Sequence, residues 1–166
     1  TKSLGFNLWK GNNINSGVEG SQLINEQLKQ KIDSVNKDKF FRINADKVFM
    51  KEAINNLINA PEKYFISYIE KIIAFIFVDS NSTQTNYYNP FHYIPLLLIG
   101  ATSLLGIILS DKKSSKMNYL ILTFLLNVLI FSSFFILPRY KLTILPLQII
   151  FTNILINKFK NYFIKS

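Results

Sequence analysis

Residues 137–146 read Leu-Pro-Arg-Tyr-Lys-Leu-Thr-Ile-Leu-Pro, so that Arg139, Tyr140 and Lys141 form a polar knot between two apolar runs. A guanidinium forks onto a phosphate through two hydrogen bonds, whereas an ammonium acts as a point charge, so this triplet suits a phosphate headgroup or a phosphate-bearing substrate. The chain has 19 Lys or Arg, of which Arg42 and Arg139 are the arginines, so position 139 departs from its usual choice of lysine. Two readings stay open for Arg139: a phosphate contact, or a positive anchor that holds a helix end at a membrane surface.

Other candidate chemistry is sparse. His92 is the one histidine, and no spacing ties it to a partner, which favours an interfacial residue over a catalyst. Pairs of carboxylates such as Asp33 with Asp38, or Glu62 with Glu70, fall on the polar faces of amphipathic stretches and read as solvated charge. There is no cysteine, so disulfides and thiolate chemistry are excluded. Neither a metal-ligand cluster nor a glycine-rich phosphate loop is present in the sequence pattern. Asn81-Ser82-Thr83 is formally a glycosylation sequon and carries no further argument.

The elements that must position the knot can be read from hydrophobic spacing. Residues 4–9 make a short apolar patch, and residues 10–17, dense in Gly, Asn and Ser, follow it; the stretch 1–21 reads as a loop. An amphipathic helix is expected over 22–35, from Leu23, Ile24, Leu28, Ile32 and Val35. A second is expected over 45–59, with Asn44 as its cap and Asp46 in its first turn, and a third over 62–78 after Pro61. The third is apolar enough to raise the question of crossing a membrane, but Glu70 and Lys71 near its middle would each cost about 2 to 3.5 kcal/mol at a bilayer centre. An interfacial position is therefore expected for it.

From residue 91 onward the pattern changes. The first 90 residues hold 11 Lys or Arg against 9 Asp or Glu, while the rest holds 8 against one, Asp111. Those later cations lie only in gaps between apolar blocks, which is the membrane pattern and argues against nucleic acid as a partner. Three spans are expected, over 91–109, 119–137 and 142–157, with Pro146 freeing a carbonyl inside the last one and thereby requiring packed neighbours. The reading is an all-α, multi-pass membrane protein: residues 1–90 supply an extracytoplasmic loop with amphipathic, interfacial helices, and residues 91–166 supply the spans. Lys112, Lys113 and Lys116 in one loop, and Lys158, Lys160 and Lys165 in the tail, place both in the cytoplasm, which leaves the knot and residues 1–90 outside the cell membrane. The start at Thr1, with no leader pattern, reads as the middle of a longer protein, and partner helices upstream are expected.

Two stretches carry a resemblance. The knot resembles the Arg-Tyr-rich, proline-closed segment before the last helix of membrane-embedded C-type glycosyltransferases, the dolichyl-phosphate-mannose-protein mannosyltransferase-like group. Residues 7–17, Asn-Leu-Trp-Lys-Gly-Asn-Asn-Ile-Asn-Ser-Gly, are similar to an extracytoplasmic loop of the same group, and the two occur in that group's order. Lys141 stands where members often carry a second Arg, and Thr143 interrupts an aliphatic stretch.

The resemblance implies transfer of a sugar from a polyprenyl-phosphate carrier to a lipid, glycan or protein acceptor at the outer face. It implies that Arg139, Tyr140 and Lys141 engage the carrier phosphate and that Lys10, Asn12 and Asn13 line the sugar or acceptor side. The acidic residue that acts as base or metal ligand in such enzymes would lie before Thr1, together with any divalent metal it binds. A non-enzymatic accessory or anchoring membrane protein, or a polyprenyl-lipid polymerase or flippase, is the alternative.

Overall fold

The computed structural model describes residues 3–83, 89–111 and 114–165. The described residues contain helices and no strand. The helices are α1 (Leu4–Gly11), α2 (Glu26–Asp33), α3 (Phe41–Asn59), α4 (Pro61–Ile76), α5 (Pro90–Leu109), α6 (Ser115–Ser132) and α7 (Leu145–Lys165), with a 3-10 segment at Pro138–Thr143. The all-helical expectation holds. Lys112 and Lys113, counted above for orientation, lie outside the described residues, as does Thr1.

The chain divides into two compact units. The first is Thr1–Lys71 with Ser132–Ile136, and the second is Ile72–Phe131 with Leu137–Ser166.

In the first unit α1 lies on α3, and its presence corrects the reading of residues 1–21 as a loop. An eight-residue helix is marginal on its own, so its stability must come from packing. Phe6, Trp9 and Phe49 supply that packing, with ring centroids 5.0 to 5.9 Å apart. Leu28 from α2 and Ala53 from α3 complete the buried cluster. A Cβ on Gly5 would overlap the Asp46 carbonyl, and one on Gly11 would overlap that of Phe134, so both glycines permit backbone to touch backbone. Gly20 adopts φ +74°, where the chain turns back and Ser21 N–H donates to the Lys10 carbonyl at 2.9 Å.

Boundaries moved where tertiary contacts outweighed local signals. Helix α2 starts at Glu26 because the Asn25 side chain accepts from Leu28 N–H at 2.8 Å. Helix α3 starts at Phe41, before the expected Asn44 cap, and Asp46 is turned to α1. Ile58, near the end of α3, is 70% exposed.

In the second unit α5 and α7 pack closely. Gly100, Ser103 and Gly106 recur every third residue on one buried stripe of α5. A Cβ on Gly106 would overlap the Phe151 carbonyl of α7, and one on Gly100 would meet the Ile76 carbonyl at 2.9 Å. Thr102 and Thr152 share a hydrogen bond of 2.9 Å between the same two helices, and Gln148 Nε2 donates to the Ile76 carbonyl at 2.9 Å, satisfying the end of α4.

The expected spans fare differently. Helices α5 and α6, 20 and 18 residues with mean hydropathy 1.9 and 1.4, are long and apolar enough to cross a membrane. Helix α6 runs earlier than the expected 119–137, and the apolar residues after Ser132 leave the helix, with Ile136 N–H donating to the Val18 carbonyl at 2.8 Å. The third run, expected over 142–157, begins as the 3-10 segment and continues as α7 through Lys158 and Lys160. Pro146 occupies the second position of α7, where the missing N–H has no intrahelical partner to lose, so it frees no carbonyl.

Candidate functional site

The expected site residues fall in two groups, Lys10, Asn12 and Asn13 in the first unit, and Arg139, Tyr140 and Lys141 in the second.

Helix α1 ends in a turn tied by its asparagines. Asn12 Nδ2 donates to the Leu8 carbonyl at 2.8 Å and to the Ser133 carbonyl at 2.9 Å. Asn13 Nδ2 reaches the carbonyls of Ser21 at 2.8 Å and of Trp9 and Lys10 at 3.3 Å, while its Oδ1 accepts from Asn15 N–H at 2.9 Å. Both donor hydrogens of each amide are thus engaged with the chain's own backbone. The pair, expected to face a sugar or acceptor, is buried and ties the turn together. Lys10 is half-buried, with Nζ 4.1 Å from the centroid of the Phe135 ring.

Two charged residues that the sequence reading placed elsewhere hold α1 at its ends. Gly5 and Phe6 N–H donate to the Asp46 carboxylate at 3.0 and 2.9 Å, so a residue of α3 caps the N-terminus of α1, whose own Ser3 makes no side-chain cap. Lys71 is fully buried, and its Nζ donates to the Gly11 carbonyl at 2.6 Å and to Asn12 Oδ1 at 3.2 Å. Burial lowers its pKa from 10.5 to about 8, opposed by the charge of Glu70. Helical spacing could have found Lys71, which falls on the same stripe of α4 as Tyr64, Ser67, Ala74 and Phe75, all buried. Asp46 gave no such signal, because its partners lie about forty residues away.

In the second unit Pro138–Thr143 is a 3-10 segment, entered through Pro138, whose fixed φ suits a helix start. Its three polar residues point differently. Arg139 is exposed, with Cζ 5.5 Å from the Tyr140 ring centroid, and the Tyr140 ring packs on Phe131 at 5.6 Å. Lys141 is 4% exposed, and among the described residues no hydrogen-bond partner meets its Nζ. Burial lowers its pKa from 10.5 to about 8.

Among the described residues no group of three or more His, Cys, Asp or Glu comes together to hold a metal ion. Compared with models of protein families, with curated proteins and with solved structures, the chain matches none.

Proposed function

We propose that this chain forms the donor-phosphate-binding part of an integral membrane glycosyltransferase that uses a polyprenyl-phosphate-linked sugar, with Arg139 and Lys141 receiving the carrier phosphate. The observation that carries the reading is the Lys141 ammonium, buried to 4% exposure with no hydrogen-bond partner among the described residues. A buried cation costs several kcal/mol unless an anion meets it, and a phosphate supplies both charge and acceptors. Arg139, exposed one residue from Tyr140, adds a fork that reaches outward.

The membrane part of the reading draws on α5 and α6, in which only 17% of each apolar window is buried by the chain itself. Lipid is the solvent that suits such surfaces. The apolar first part of α7 supplies the third span, and the loop and tail cations keep the cell-membrane orientation given above. The acceptor oxygen bonds to the sugar's anomeric carbon as its bond to the phosphate oxygen breaks. Arg139 and Lys141 stabilise the charge left on the departing polyprenyl phosphate, and the acceptor hydroxyl gives its proton to a general base of the enzyme.

Titration of the chain in lipid nanodiscs with a polyprenyl monophosphate and with the uncharged polyprenol tests this reading. The phosphate is expected to bind and the alcohol not, with affinity lost by about tenfold or more in Arg139→Ala and in Lys141→Met. Equal binding of phosphate and alcohol, or unchanged affinity in both variants, overturns it.

A further inference from the structure

Helix α3 presents apolar residues on two opposite sides. Ala45, Phe49 and Ala53 point into the core, while Phe40, just before the helix, and Ile43, Ile54 and Ile58 are 38 to 70% exposed. At about 100° per residue these two sets lie roughly half a turn apart. Lys47 and Lys51, both exposed, fall on the outer stripe between Ile43 and Ile54. The two acids of α3 are turned away from it: Asp46 binds the N-terminal amides of α1, and Glu52 pairs with Lys31 at 2.9 Å. Within the helix the stripe therefore carries aliphatic side chains with positive charge alone, while just before it the exposed Asp38 carboxylate is engaged by Phe40 N–H at 2.8 Å.

We infer that the Phe40, Ile43, Lys47, Lys51, Ile54 and Ile58 stripe of α3 is a docking face for an anionic bilayer surface. Apolar residues enter the headgroup boundary while the lysines extend their stems along it and keep their ammonium groups at the phosphates. The choice of lipid over a protein rests on that one-signed charge and on the two helices of the same chain that are long and apolar enough to hold it at a membrane. The inference needs the membrane location proposed above and is independent of sugar transfer.

The absence of cysteine allows single labels on the whole chain. A fluorophore is attached at Ile58→Cys, at Ile108→Cys on the exposed side of α5, and at Gln30→Cys on exposed α2, in nanodiscs of phosphatidylcholine with phosphatidylglycerol. A shallow nitroxide lipid is expected to quench the label at 58 about threefold more than that at 30, and the combined Lys47→Glu and Lys51→Glu change is expected to remove the difference. Quenching at 58 by aqueous iodide to the same extent as at 30 overturns the inference. Shielding of 58 from both iodide and nitroxide lipid also overturns it, since a protein then covers the stripe. The label at 108 reads the membrane location separately: quenching there by a deep nitroxide lipid upholds the location even where the α3 inference fails, and its absence removes both.

Discussion

Lys71 Nζ donates to the carbonyl oxygen of Gly11, the last residue of α1, at 2.6 Å. With Asp46 bound to the amides at the other end, an eight-residue helix has a carboxylate at its positive end and an ammonium at its negative end. Both charges come from other helices, so α1 forms only where α3 and α4 hold it.

Replacing Lys71 by Met is expected to leave the Gly11 carbonyl without its donor and to lower the stability of the first unit by about 1.5 to 3 kcal/mol. Trp9 is the chain's single tryptophan and is 2% exposed, so its emission reports this unit alone during denaturant unfolding. An unfolding midpoint equal to that of the wild type would show that the contact contributes nothing.

The same residue sets a pH dependence. Its pKa is lowered to about 8 in the folded chain from 10.5, so between these values the unfolded chain binds more protons than the folded one. Stability therefore rises with pH across about 8 to 10.5, by up to about 1.4 kcal/mol per pH unit, and the burial penalty is present in full below that window. The difference between wild type and Lys71→Met, followed by Trp9 emission from pH 7 to 10.5, is expected to shift in favour of wild type as pH rises. A difference that stays constant contradicts the assignment.

For Asp46→Ala, loss of the two bonds to Gly5 and Phe6 N–H is expected to cost about 1 to 2 kcal/mol. Asp46→Asn, which retains an acceptor oxygen, is expected to fall between the two. Hydrogen exchange gives the local readout: the amides of α1 should lose protection in Asp46→Ala before those of α3 do. Uniform loss across both helices would mean that Asp46 supports the unit generally and not the end of α1.

How far the sequence revealed this arrangement depended on the distance over which each signal acts. Residues 91–109 have no charge, and α5 closes at Leu109 as that run does. Helix α4 begins at Pro61, where the ring's fixed φ sets a first turn. Helix α1 was hidden because its end charges arrive from Asp46 and Lys71, far along the chain. The end of α6 was hidden because Phe134, Phe135 and Ile136 continue its apolar pattern while the backbone leaves the helix to reach Val18. Within the knot, residue types favoured Arg139, whereas burial singles out Lys141, and burial is a tertiary property.

Gly106→Ala is expected to separate α5 from α7, since the added carbon would overlap the Phe151 carbonyl, and backbone cannot give way as a side-chain tip can. The cost should reach about 2 kcal/mol or more, against a change within about 0.5 kcal/mol for Leu105→Ala on the exposed side of the same helix. A pair of nitroxide labels on exposed Ile108 and Ile149 reads the helix separation directly. Unchanged label distances together with unchanged stability would mean that the close α5–α7 contact is dispensable.

Lys141→Met has an expected sign opposite to that of Lys71→Met. Lys71 has oxygen acceptors for its buried ammonium, whereas among the described residues Lys141 Nζ has none. Without ligand, removing the Lys141 charge is therefore expected to raise stability by about 1 to 3 kcal/mol, because an apolar side chain of similar length replaces an unmet polar group. With a polyprenyl monophosphate present the order should reverse, since ligand stabilises wild type by mass action and has lost its counter-charge in the variant. The same phosphate should bind less tightly as pH rises through about 8, where the free ammonium gives up its proton. Thermal unfolding of both proteins with and without the lipid phosphate, at pH values on either side of about 8, measures all three effects. A variant that is less stable than wild type without ligand would show that Lys141 serves the fold and not an anion.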